Sequence, residues 1–248
     1  MEELIIKSFK LTIDKYDGVT IDHKSLPKCL NSFEKELIHL LESLKNKNLV
    51  WIKLPIEKSH YIPILTKYEF SFHHCGENEL MLVKKLIENP IIPTATNHTL
   101  GVGAIVINED KLLVIKDRFQ VGYKLPGGHI DDNENISQAL SREVYEETGI
   151  KIELDTVVSL GHFSPAQFGE SNLHVLCTAK PLSFEINIQD SHEILEAKWC
   201  ELEKFFEYED IHPYNKEIVR AALKNKGLKI EDKDLPFQKK SLQAQFFF

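Results

Sequence analysis

Glu143, Glu146 and Glu147 fall within five residues of one another, with Arg142 immediately ahead of them. Carboxylates at this density either form a solvated charged face or gather a cation, and their placement decides which. Leu125-Pro126-Gly127-Gly128 lies upstream, where the paired glycines reach backbone conformations closed to other residues and let a ligand approach the main chain. Asn135 is a good helix N-cap, and Gln138 three residues on can complete a capping box. Gly149 stands where a C-terminal glycine cap belongs. Together these signals predict a helix over Ile136–Thr148.

At about 100° per residue, with Ile136 at zero, Ala139 falls at about 300°, Leu140 at about 40° and Val144 at about 80°. That is the face that meets a core. Glu143 at about 340° and Glu147 at about 20° lie inside it, and Glu146 at about 280° lies at its edge. Ser141, Tyr145 and Gln138 take the other side. Partly buried carboxylates cost several kcal/mol each unless protonated, paired or bound to a metal. Arg142 alone cannot neutralise three. All-oxygen ligation favours a hard divalent ion, Mg²⁺ or Mn²⁺. Such an ion suits phosphoryl chemistry, because it offsets phosphate charge and activates water. The residues alone therefore point to metal-assisted phosphoryl chemistry.

The rest of the composition agrees. A formal net charge of −8 over 248 residues leaves no basic footprint for a nucleic-acid backbone. An acidic chain that binds a small polyanion needs a local positive element, and a metal supplies one. Cys29, Cys75, Cys177 and Cys200 are far apart and form no CxxC pair, which points to a reduced, cytoplasmic protein. Met1 to Lys10 lacks the long apolar run of a signal peptide, and no segment reaches the roughly 18 apolar residues of a membrane helix.

These residues need a frame. Leu4–Ile13 and Val19–Ile21 flank the turn signal Asp17-Gly18 and predict a hairpin. Phe33, Leu37, Leu40, Leu41 and Leu44 recur at helical spacing. Leu49–Leu54 reads as a strand, Ile62–Tyr68 as a helix and Phe70–Leu82 as extended. Asn89-Pro90 and Ile92-Pro93 break the pattern and predict a boundary, with one domain over 1–92, a second over 98–226 and a tail over 227–248. In the second, Gly101–Ile107, Leu112–Ile115, Lys151–Leu160, Leu173–Ala179 and Ala197–Cys200 read as strands, and Lys216–Lys224 as a helix. A mixed sheet packed by a few helices, fold class α/β, is expected. His73 and His74 are read as packing residues, since neighbours in a strand point to opposite faces and cannot readily share an ion.

Gly128, Glu134, Arg142-Glu143-Val144, Glu146-Glu147 and Gly149-Ile150 match the Nudix box at all its specified positions. The chain therefore resembles the Nudix hydrolase superfamily. The resemblance implies an α/β/α sandwich with a mixed sheet and hydrolysis of a nucleoside diphosphate linked to another group. It implies Glu143, Glu146 and Glu147 as metal ligands, Glu143 and Arg142 among the catalytic residues, and the Gly128 carbonyl within reach of the metal. Gly127, Glu134 and Gly149 would support the site. A late glutamate, here Glu193, would reach the metals or activate water.

A narrower likeness extends over nearly the whole chain. Val50–Pro55, Phe70–His74, Phe168–Asn172 and Glu193–Trp199 resemble plant and animal Nudix proteins of the NADH/ADP-ribose type. This implies a small N-terminal α/β domain similar to an acetyltransferase fold, with dimerisation or substrate shaping as its role. Pro165, fifteen residues after Ile150, has a spacing associated with ADP-ribose hydrolases, and Phe168 is a candidate for stacking on a base. Phe163, Phe168 and Tyr123 are each read as core residues first and stacking residues second. The segments that mark NADH specialists and coenzyme A hydrolases are absent. The leading expectation is cleavage of ADP-ribose, NADH or a related dinucleotide to release AMP. A non-catalytic nucleotide sensor and an RNA 5′-cap hydrolase are the alternatives, the latter opposed by the missing basic patch and stacking platform.

Overall fold

The computed structural model describes residues 2–231 and 245–248. The chain divides into two compact units, one ending at Thr96 and the other beginning at Asn97.

The first unit is a six-stranded mixed sheet with strands β1 (Glu2–Ile6), β2 (Phe9–Ile13), β3 (Gly18–Ile21), β4 (Leu49–Pro55), β5 (Ser71–Cys75) and β6 (Glu79–Lys85) in the order β1-β2-β3-β4-β6-β5. The extended run expected from Leu4 to Ile13 is two strands, because Lys7 takes a positive φ of 55° in the turn between them. Asp17-Gly18 closes the β2–β3 hairpin as its turn chemistry requires. α1 (Leu30–Ser43) buries Phe33, Leu37 and Leu40, and α2 (Ile62–Lys67) buries Leu65. These residues join Phe9, Val19, Val50 and Ile52 in one core. The expectation for the histidine pair needs correction. A bulge between Phe72 and His74 breaks the alternation of β5, so the Nδ1 atoms of His73 and His74 lie 2.7 Å apart. His73 is nevertheless a packing residue, with Nε2 on the Pro93 carbonyl and its ring edge-on to Trp51.

The second unit is a three-layer α/β/α sandwich. Strands β7 (His98–Asn108), β8 (Lys111–Asp117), β10 (Ile152–Phe163), β11 (Ser171–Pro181), β12 (Ile194–Glu201) and β13 (Leu228–Lys229) run β12-β8-β7-β11-β10-β13. A short strand β9 (Gly127–His129) pairs separately with β7. Alternation along the strands loads both faces. Val102, Ala104, Val106 and Leu113 pack with Ala139, Leu140 and Val144 of α3 (Ile136–Thr148). Ile105, Leu112 and Val114 face the other way, onto Phe205 of α4 (Leu202–Glu207) and Ile218 and Val219 of α5 (Pro213–Lys224). The last residues of the chain do not stand apart. Lys229 and Phe248 exchange two backbone hydrogen bonds of 2.9 Å, and Phe247 packs against the α3-side core. No helix among the described residues is long and apolar enough to cross a membrane.

Candidate active site

α3 begins and ends where its caps dictate. The Asn135 side chain accepts from the Gln138 N–H, the Gln138 side chain accepts from the Asn135 N–H, and Gly149 closes the helix in the left-handed conformation at φ 74°. Ahead of it, β9 lays Gly127 opposite Gly103 and Gly128 opposite Val102. Gly127 sits at φ 148°, and a Cβ there would lie 2.1 Å from the Val102 carbonyl oxygen. Only glycine fits. At Gly128 the Glu143 carboxylate presses so closely on the backbone that a Cβ would lie 2.5 Å from its oxygen.

The three clustered glutamates have different environments. Glu147 is 4% exposed and accepts a 2.7 Å hydrogen bond from the Gly127 N–H. Burial pushes its carboxyl up to about 8, against the opposing pull of the Gly127 N–H and the Lys124 charge. Glu143 is also raised by burial, with Arg142 opposing and the charges of Glu146 and Glu193 adding to the shift. Glu146 is the most open of the three.

Arg142 organises the helix's entry loop. Its Nε and one terminal nitrogen grip the Glu134 carboxylate at 2.8 Å each, and that terminal nitrogen also donates to the His129 carbonyl at 3.0 Å. The other terminal nitrogen donates to Glu143 at 2.8 Å and Glu146 at 3.1 Å. This fork holds the Glu134 carboxyl below the usual range and raises the guanidinium further. Among the described residues, no three His, Cys, Asp or Glu side chains already converge as a ligand cage. Arg142 and Gly127 hold the carboxylates instead. The donor set is all oxygen, and a buried carboxylate answered by a single backbone N–H suits a hard cation.

Glu193 sits just before β12, with its N–H on Asp190 and its carbonyl accepting from the Arg118 N–H at 3.0 Å. Its charge reaches both Glu143 and Glu147. Pro165 and Phe168 lie on the loop between β10 and β11. Phe168 is 94% exposed and lines a recess of about 470 Å³ with His129, Phe163 and Asn172, whereas Pro165 does not line it. Tyr123 packs in the core under Lys198, with its hydroxyl donating to Glu196.

Several site residues escape sequence reasoning. A larger pocket of about 860 Å³ reaches Gly127 and is lined by Lys124, Phe163, His174 and Tyr214 among others. Lys124 is anchored at 2.6 Å to Asp117, which is 3% exposed. The buried Tyr214 hydroxyl has no hydrogen-bond partner among the described residues. Of these, Phe163 is the one the sequence singled out; Lys124, three residues before Gly127, has a local signal, and His174 and Tyr214 have none.

Residues 97–222 match the NUDIX domain family, and residues 9–86 match the Nudix hydrolase domain family. The chain is 36% identical over 204 residues to Nudix hydrolase 8 of Arabidopsis thaliana, covering 78% of this chain and 55% of that protein. It is 31% identical over 224 residues to human nucleoside diphosphate-linked moiety X motif 6, covering 85% of this chain and 71% of that protein. The chain belongs to the Nudix family. Nudix proteins are hydrolases of nucleoside diphosphate-linked compounds and generally use divalent metal ions. Of the solved structures, a NUDIX hydrolase from Nitrosomonas europaea aligns with 25% identity and a TM-score of 0.46, covering 52% of this chain and 90% of that one. The chain spans only about half of the Arabidopsis relative, 55% of its length.

Proposed function

We propose that this Nudix chain cleaves the diphosphate of ADP-ribose, NADH or a related dinucleotide, releasing AMP, with Mg²⁺ or Mn²⁺ bound by Glu143, Glu146, Glu147 and the Gly128 carbonyl. The observation that carries this reading is the pocket of about 860 Å³ opening at Gly127, beside the buried carboxylate of Glu147. Its size suits a nucleoside half. The Tyr214 hydroxyl, without a partner among the described residues, offers that ligand a donor, and Lys124 offers its phosphates a charge.

When bound, the ion offsets the diphosphate charge and acidifies the attacking water. Arg142 grips Glu134 and the His129 carbonyl, which fixes the ends of the loop, while Glu143 and Glu146 would be the carboxylates that hold the cation. Glu143, raised by burial and near Glu193, is poised to accept the proton from water. Phe168 supplies an exposed ring for an aromatic base.

The testing experiment incubates the protein with ADP-ribose, NADH, NAD, diadenosine polyphosphates, coenzyme A, nucleotide sugars and capped RNA. Each is run with Mg²⁺, Mn²⁺ or chelator, and products are separated by chromatography. Metal-dependent AMP from ADP-ribose or NADH supports the proposal. Preferred turnover of another compound overturns the substrate choice, and binding without cleavage overturns the catalytic reading.

A further inference from the structure

The first turn of any helix leaves backbone N–H groups without helical partners. In α3 the reciprocal capping box satisfies those of Asn135 and Gln138. The Ser137 N–H between them is answered from 108 residues away. The Gln245 side-chain oxygen accepts from it at 3.3 Å, while the Gln245 amide nitrogen donates to the Ser137 hydroxyl at 2.8 Å. One primary amide thus grips both polar groups of Ser137.

Gln245 is held in place by its own neighbours. Phe248 and Lys229 form a reciprocal backbone pair, and the Glu231 N–H donates to the Phe246 carbonyl at 3.0 Å. β13, which contains Lys229, pairs in turn with Thr156 and Val157 of β10. Phe247 packs on the cluster that contains Ala139, Leu140 and Val144, the buried face of α3. The segment Gln245–Phe248 therefore touches α3 at its polar cap and packs against the core cluster that the apolar stripe of α3 joins. Arg142 and Glu143 lie one to two turns further along the same helix.

We infer that Gln245 and Phe247 are positioning residues for the metal-binding carboxylates, acting through the register and rigidity of α3. The inference rests on the reading of α3 as the metal-binding helix. Helix displacement of a fraction of an ångström is felt at ligands that must converge, and outer partners of a metal site commonly alter affinity severalfold or more. Gln245 does not touch substrate or metal and acts only through Ser137.

The test uses the full chain as wild type, Gln245→Leu and Gln245→Glu. Leucine removes both contacts with Ser137. Glutamate keeps acceptors for both the N–H and the hydroxyl, and places negative charge at a helix N-terminus, where it is favourable. Two readouts are taken: Mn²⁺ affinity by titration of free ion, and hydrogen exchange of the α3 amides in chelator. The expected result is about tenfold weaker Mn²⁺ binding in Gln245→Leu, with faster exchange at Ser137, and near-wild-type behaviour in Gln245→Glu. Wild-type Mn²⁺ affinity in Gln245→Leu, or equal loss in both variants, overturns the inference. If the wild type itself binds no Mn²⁺, the metal reading of α3 fails. The exchange data then still report whether Gln245 orders the helix, and unchanged exchange in Gln245→Leu overturns that as well.

Discussion

The Gly127 N–H points at the Glu147 carboxylate across 2.7 Å, joining the glycine pair of β9 to the buried end of α3. The contact gives a hydrogen-bond partner to a glutamate that is 4% exposed. It also leaves that glutamate under-satisfied, since one backbone donor does not offset the burial of a carboxylate.

Glu147→Gln keeps the shape and the acceptor for Gly127 while deleting the charge. Turnover should fall by at least about 100-fold, more than the loss usual for an outer partner of a metal site. Thermal unfolding in chelator at pH 8 should show no loss of stability, because far above its unfolded value the wild-type carboxyl must either take up a proton or bury its charge on folding. Near-normal turnover would remove Glu147 from the ligand set.

Arg142→Lys tests the fork. Lysine keeps the positive charge but cannot hold Glu134 with two parallel bonds and reach the His129 carbonyl as well. We expect kcat to fall about tenfold or more with a matching rise in the Mn²⁺ concentration for half-activity. Steady-state kinetics across a Mn²⁺ series measures both.

Asp117 supplies the pH dependence. Burial disfavours its ionised form, but Lys124 and the N–H groups of Gln120 and Phe119 outweigh that and hold its carboxyl below the ordinary value. Its stabilisation is therefore present above the unfolded value of about 3.9 and is lost as pH falls through the lower folded value. Asp117→Asn should cost about 2 kcal/mol at neutral pH. The gap from wild type should shrink as pH falls below the unfolded value of about 3.9 and through the lower folded value, as followed by denaturant unfolding at each pH. A gap that stays constant over that range would show that ionisation of Asp117 carries none of the effect.

Phe168→Ala asks whether the exposed ring meets substrate. Nothing in the fold leans on it at 94% exposure, so stability should not change. Loss of one base–aromatic stack should raise KM for ADP-ribose about fivefold to tenfold, with kcat nearly unchanged. An unchanged KM would leave Phe168 as a loop residue with no part in binding.

What the sequence could convey follows from range. α3 spans Ile136–Thr148 as its caps predict, because Asn135, Gln138 and Gly149 act within one turn of the residues they cap. Strand-like apolar runs likewise made β7, β8, β10, β11 and β12 legible, though not β13. β9 was not legible, since two glycines and a histidine carry no periodic signal and pair only because β7 lies beside them. His174 and Tyr214 reach the pocket through β11 and α5, elements separated from the box by sheet topology. The bulge in β5 reversed the expected divergence of His73 and His74, which alternation alone could not foresee.

The most direct test of the central claim is hydrolysis of ADP-ribose in H₂¹⁸O with Mn²⁺, read by mass spectrometry of the phosphate products. The account predicts one ¹⁸O atom incorporated into AMP or ribose phosphate, and none when the metal is chelated. Absence of any labelled phosphate product with both Mn²⁺ and Mg²⁺ would contradict it.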